Sequence, residues 1–131
     1  MKKTGVLNHR LSEVIATMGH TDLLVVADAG LPIPPGVERI DLAVIPGLPP
    51  MLDVLRAIAT ELQVERILIA SELVDRNPDL VTAISEIFPD LSVDHVSHVE
   101  FKIRSTSAKA VVRTGEFTPY ANVALISGVT F

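Results

Sequence analysis

The stretch Gly19–Gly36, GHTDLLVVADAGLPIPPG, sets a very apolar run between polar groups. Leu23, Leu24, Val25, Val26 and Ala27 are continuous and partly β-branched, which predicts a strand buried on both faces of a parallel sheet. Asp28 follows at its carboxyl end. Ala29, Gly30, Leu31, Pro32, Pro34, Pro35 and Gly36 then make a stiff Gly/Pro loop that continues as neither strand nor helix. Open α/β sheets bind ligands in crevices outside the carboxyl ends of their strands, so Asp28 is a candidate site residue, with His20 just ahead of the strand. The plain alternative is structural, with Asp28 forming a turn before Ala-Gly and His20 capping the preceding helix.

On the amino-terminal side, Leu7, Leu11, Val14, Ile15 and Met18 recur at intervals of three or four, which predicts an amphipathic helix capped by Asn8 and ended by Gly19. His9 is expected to face solvent. Beyond the Gly/Pro loop, Val37 to Val44 reads as a strand with one wet side, broken by Pro46-Gly47-Leu48-Pro49-Pro50. Leu52, Leu55, Ile58, Ala59 and Leu62 give a helical face, Glu61 to Glu65 a connection, and Ile67 to Ala70 a short buried strand ending at Ser71-Glu72. Asn77-Pro78-Asp79 is a helix start, with an N-cap, a proline at N1 and an acid at the positive end of the dipole. Leu91 to Val96 is expected as a fourth strand, and Ser97-His98-Val99-Glu100 has capping-box spacing, which puts His98 at N1 of a short helix. Ala108 to Arg113 and Val123 to Ile126 are the last strands, joined by a segment that holds the only tyrosine, Tyr120.

Strands alternating with helices predict an α/β fold: a three-layer, Rossmann-like, mainly parallel sheet with helices on both faces, in a single domain over residues 1–131. Hydrophobic residues make up 48% of the chain and aromatics only 4%, so the core is aliphatic. The mean hydropathy of +0.42 is high for a soluble protein, yet no apolar run approaches the ~20 residues that span a bilayer. The surplus predicts an interface, most simply within an oligomer. A net charge of −5 without a basic block argues against nucleic acid. The absence of cysteine removes disulfides, thiolate catalysis and Cys-ligated metal. No apolar signal segment follows Lys2-Lys3, so cytoplasm is the expected compartment.

Three loops compete for the chemistry: His20 with Asp28, then His98, then Tyr120 with Asn122. His95 and His98 lack the third ligand of a zinc set, and no phosphate-binding or nucleophile-elbow motif is present. What remains are acid/base and hydrogen-bonding groups suited to a small polar ligand such as a sugar, whose hydroxyls both donate and accept. As structural residues, His98 would only cover a helix end, and Tyr120 and Asn122 would only hold a turn together.

Five segments together resemble the D-ribose pyranase family, which is related to the fucose mutarotases. They are G-H-T-D at Gly19–Asp22, A-D-A-G-L-P at Ala27–Pro32, P-G-L-P at Pro46–Pro49, H-x-x-F-K at His98–Lys102, and R-T-G-E-F-T-P-Y-A-N at Arg113–Asn122. The likeness runs from M-K-K-x-G-V-L-N to Phe131 and thins between Val74 and His95. It implies an enzyme that interconverts the pyranose and furanose forms of D-ribose without a cofactor or metal. It also implies a homodecamer of two stacked pentameric rings with sugar pockets between subunits. By position, His20 would be the catalytic acid/base, Asp28, His98, Tyr120 and Asn122 would bind the sugar, and Lys102 would lie at the rim. Alternatives are mutarotation of fucose or another aldose, and a non-catalytic sugar-binding module. Five strand residues separate His20 from Asp28 by roughly 16 Å, so the two share a ligand only if the chain folds back or they meet across subunits.

Overall fold

The computed structural model describes residues 1–131. Helix α1 (His9–Thr17) begins where Asn8 accepts the Leu11 N–H in its side-chain oxygen at 2.9 Å. It buries Leu11, Val14 and Ile15, whereas Leu7 lies outside the helix and is exposed. Its capping residue is Met18, one position before the expected Gly19. Strand β1 (Leu23–Ala27) is the predicted apolar run, followed by β2 (Glu38–Asp41), α2 (Met51–Ala59) and β3 (Val64–Ala70). The chain continues through α3 (Ser71–Arg76), α4 (Pro78–Ile87), β4 (Val93–Val96), α5 (His98–Arg104), β5 (Ala110–Arg113) and β6 (Val123–Ser127), with one 3-10 turn at Ser105–Ser107.

The strand expected over 37–44 is confined to Glu38–Asp41, and two further expectations are corrected. The Glu61–Glu65 connection is shorter than predicted, because Val64 and Glu65 already belong to β3. Ser71-Glu72 opens α3, whose six residues follow β3 without a loop; so short a helix has too few apolar positions for its period to stand out.

The six strands lie in the order β2-β5-β1-β6-β3-β4. β2, β5 and β1 pair in parallel, as do β3 and β4, while β6 runs antiparallel to both β1 and β3. The reversal has a simple cause. A parallel return needs a crossover of about a dozen residues or more, usually helical, and the joint between β5 and β6 has none. β6 must therefore start at the edge where β5 ended. Since β1 lies between them, the joint passes over the carboxyl end of β1. It is pinned there by the Thr114 hydroxyl, which donates to Ala27 O at 2.8 Å, and by Ala29 N–H, which donates to Glu116 O at 2.8 Å.

Side chains alternate between two cores, as strand pleating requires. Leu24, Val26, Ile67, Ile69, Val112, Val123 and Leu125 face α1, α2, α3 and α4 in the larger core. Val25, Leu68, Val111 and Ala124 face α5 through Phe101, with Leu31 of the Gly/Pro loop beside them. Helices thus cover both faces, but unequally. Val44, Ile45, Leu48, Val99, Ile103 and Phe117 stay exposed, apolar surface that the rest of the chain leaves uncovered.

Candidate functional site

Because five strands point one way and β6 the other, one edge of the sheet gathers the carboxyl ends of β1, β4 and β5 and the start of β6. Four of the five predicted site residues lie there. Asp28 directly follows β1, His98 opens α5 two residues after β4, and Tyr120 and Asn122 immediately precede β6.

Asp28 and Asn122 are locked to each other. The Asp28 N–H donates to Asn122 Oδ1 at 2.9 Å, and the Asn122 amide Nδ2 donates to Asp28 Oδ2 at 2.9 Å. Asp28 Oδ1 also accepts the Gly30 N–H at 2.9 Å, an Asx turn that starts the Gly/Pro loop. The turn-forming reading of Asp28 is therefore realised, at the carboxyl end of β1. Asn122 is fully buried, so this pair holds the carboxylate at a fixed angle to the strand end.

Next to it Tyr120 sits at φ 63°, a left-handed conformation uncommon for a non-glycine residue. Its ring meets the His98 ring edge-on, with centroids 5.0 Å apart at 83°, and the Arg76 guanidinium stands 5.2 Å over it. The His98 backbone N–H donates to Glu72 Oε2 at 2.8 Å, while Ser97 Oγ accepts the Glu100 N–H at 3.1 Å. Half of the expected capping box forms. The Glu100 carboxylate accepts from Arg104 Nε at 3.0 Å instead of reaching back to the cap. His98 Nδ1 is buried and has no hydrogen-bond partner, an unusual state for a polar atom. Lys102, one helical turn further along α5, pairs with no carboxylate.

An open cleft of about 340 Å³ adjoins this edge, lined by Asp28, Gly30, Arg113, Glu116, Phe117 and Thr118. Burial pushes the Glu116 carboxyl up, but hydrogen bonds from the Thr118 hydroxyl and from the Met51 and Thr118 N–H groups outweigh it and hold the carboxyl below its ordinary range. Glu116 thereby ties the joint to the start of α2. Arg113 donates to Ala29 O at 3.0 Å and to both oxygens of Asp41 at 3.1 Å, closing the other side of the cleft. At Gly115 any Cβ would overlap the backbone of Leu48, so the Pro46–Pro50 loop packs directly on the joint.

His20 lies at the other edge. It precedes β1, half-exposed, with Nε2 2.8 Å from Glu65 Oε2. The groove beside it, about 460 Å³, is formed with Met18, Gln63, Gly128 and Phe131. Within one chain His20 and Asp28 are thus separated by the length of β1. His95 lies in β4 and His9 is exposed, as expected, and no three His, Asp or Glu side chains converge to hold a metal ion. No helix is long and apolar enough to cross a membrane.

Glu65, Glu72 and Arg76 were not singled out by the sequence. Glu72 and Arg76 share α3, too short to read by period. Glu116 and Arg113 stood within the longest motif, where an acid and a base beside Thr-Gly were the available signal.

A family model described as the RbsD / FucU transport protein family matches residues 1–130. A D-ribose pyranase of Pseudomonas putida strain GB-1 is 58% identical over 132 residues, and one of Laribacter hongkongensis is 55% identical over 131 residues, each match covering 100% of both chains. Bacillus subtilis RbsD, solved in complex with D-ribose, superposes with a TM-score of 0.96 at 46% identity over 100% of both chains. The fucose mutarotase of Streptococcus pneumoniae, solved with L-fucose, shares the fold at a TM-score of 0.81 and 23% identity over 95% of each chain. The chain belongs to the RbsD / FucU family.

Proposed function

We propose that this chain is a D-ribose pyranase, interconverting the pyranose and furanose forms of D-ribose by cofactor-free acid/base chemistry in one domain spanning residues 1–131. The observation that carries a sugar ligand is the edge where Asp28, Asn122, Tyr120 and the buried, unpartnered His98 Nδ1 converge. A sugar hydroxyl both donates and accepts, so a ligand with several of them can bond the carboxylate and the orphan nitrogen together. Ribose rather than fucose is favoured by 58% identity to a protein named D-ribose pyranase against 23% to a fucose mutarotase.

Ring opening removes a proton from the anomeric hydroxyl and delivers one to the ring oxygen as the bond between C1 and that oxygen breaks. The aldehyde then rotates and recloses through the C4 hydroxyl to give furanose or the C5 hydroxyl to give pyranose. No C–H bond breaks, so no hydride acceptor is needed. His20 is the acid/base, imidazole being the side chain that gives and takes protons near neutral pH. Asp28 holds a sugar hydroxyl, and Asn122, His98 and Tyr120 orient the ring, with Lys102 at the rim.

His20 sits at the opposite end of β1 from Asp28, so the complete pocket forms between subunits, each chain giving one edge to each of two neighbours. The exposed Val44, Ile45, Leu48, Val99, Ile103 and Phe117 supply apolar surface for such contacts, and a decamer of two stacked pentameric rings is the assembly we propose. The enzyme acts on ribose in the cytoplasm, at the entry to ribose catabolism.

NMR saturation transfer between pyranose and furanose signals of ribose, with and without protein, tests the reading. Fast ribose exchange is expected, lost in a His20→Ala variant that stays folded and assembled. Acceleration of fucose anomer exchange alone would favour the mutarotase, and ribose binding by calorimetry without any exchange would favour a binding module.

A further inference from the structure

His20 is held by a frame that neither the fold nor the surface demands. Its Nε2 lies 2.8 Å from Glu65 Oε2, although the two side chains are 54% and 34% exposed. A hydrogen bond this open adds little to stability, so its geometry calls for another account. Glu65 is the extra residue of a β-bulge. β3 pairs Val64 with Ser127 and Arg66 with Ile126, leaving Glu65 unpaired between them. Bulges re-aim a side chain out of the regular pleat. Opposite the bulge is Gly128, whose N–H donates to Gln63 O at 2.8 Å; a Cβ there would stand 3.0 Å from the Glu65 Cβ and crowd it.

The His20 side of the pair is equally constrained. Thr21 has φ 67°, costly for a β-branched residue, and is kept there by its N–H donating to Ser127 O at 2.8 Å. Asp22 O accepts the Ser127 N–H at 2.9 Å, and Asp22 Oδ2 accepts the Gly19 N–H at 2.8 Å. Both partners therefore hang from the last residues of β6.

We propose that Glu65 is the positioning residue for His20, fixing its ring and its Nε2–H tautomer so that Nδ1 is the nitrogen that exchanges protons with the sugar. An ionised carboxylate only accepts, so Nε2 must be the donor, and the lone pair of the neutral ring is then on Nδ1. This assignment rests on His20 being the acid/base proposed above. It adds that the strained Thr21, the bulge and Gly128 all serve one orientation.

The test uses the full-length wild type and the Glu65→Leu, Glu65→Gln and His20→Ala variants, checked for fold by circular dichroism and for assembly by size exclusion. Ribose ring exchange is read as kcat and KM separately. The ¹⁵N spectrum of ring-labelled histidine, assigned through His20→Ala, reads the tautomer. Glu65→Leu is expected to lower kcat roughly tenfold or more, with KM moved less than about twofold, since a misplaced group costs chemistry more than binding. Its His20 nitrogens should report a mixture of tautomers. Glu65→Gln, whose amide oxygen still accepts, should recover most of the rate and the single tautomer. If Glu65→Leu does not fold, Gly128→Ala, which displaces Glu65 from outside the pair, is read in the same way. Wild-type kcat after loss of the carboxylate, or a lower kcat with an unchanged His20 spectrum, overturns the positioning role. Wild-type exchange by His20→Ala overturns the assignment of His20 itself.

Discussion

Truncating Asn122 to alanine removes the two bonds it makes to Asp28 and leaves only the Gly30 N–H on that carboxylate. One is a neutral bond, Asp28 N–H to Asn122 Oδ1, and the other a charge-assisted bond, Asn122 Nδ2 to Asp28 Oδ2, each 2.9 Å long. The first is worth about 1 kcal/mol and the second about 1.5–3 kcal/mol where water does not replace it. Asp28 is only half-buried, so water recovers part of the second. Asn122 is fully buried, so the lost side chain leaves a small void with an unpaired Asp28 N–H beside it. A net loss of about 2–3 kcal/mol follows, and for a domain of this size the melting temperature falls by roughly 10 °C. Urea denaturation at matched protein concentration measures the loss, matched because assembly makes apparent stability depend on concentration. Asn122→Asp is the companion variant. It keeps the acceptor for the Asp28 N–H but sets two carboxylate oxygens face to face, so its penalty at pH 7 should exceed that of alanine. An Asn122→Ala midpoint within about 0.5 kcal/mol of wild type would refute the reasoning, because surface changes alone reach that size.

Glu116 is expected to make the protein acid-sensitive. Its folded-state pKa is depressed, so its contribution is complete above about pH 5 and is lost as pH falls through that depressed value; Glu116→Gln should be about 1 kcal/mol less stable at pH 7 and show a shallower fall below pH 5 in urea midpoints, and equal slopes would exclude the effect. Tyr120→Phe keeps the ring against His98 and Arg76 and removes a hydroxyl that bonds to nothing within the chain. Its expected signature is a KM for ribose raised roughly tenfold with an unchanged melting temperature; a lower melting temperature with unchanged KM would make the hydroxyl structural.

Local chemistry was the part of this fold that could be read directly. Asn8, Asn77-Pro78 and Ser97 cap the helices they were expected to cap, because a cap involves only residues three apart. The buried β1 was evident from composition alone. The direction of β6 is legible only once the strand order is known, because the helix-free joint before it is then too short for a crossover. The site divides in the same way. Asp28, His98, Tyr120 and Asn122 reach one edge because each follows or precedes a strand end, a relation visible along the chain. Glu65 and Glu72 act on residues 45 and 26 positions away, and no local pattern announces such partners. His20 and Asp28 flank the straight strand β1, so strand rise alone keeps them at opposite ends of it.

The reversed strand β6 gives the molecule a gauge. Asn122 stands immediately before Val123, and Gly128 immediately after Ser127, so one covalent span measures the gap between the edge that holds the carboxylate and the edge that holds the imidazole. Val123, Ala124 and Leu125 are wholly buried between β1 and β3 and are replaceable by other aliphatic residues of similar volume. Their number is not replaceable in this way. One inserted or deleted residue would turn the strand's core side chains to the wrong face and move both edges out of step. What β6 contributes is a length, and a length tolerates spelling changes but no change in count.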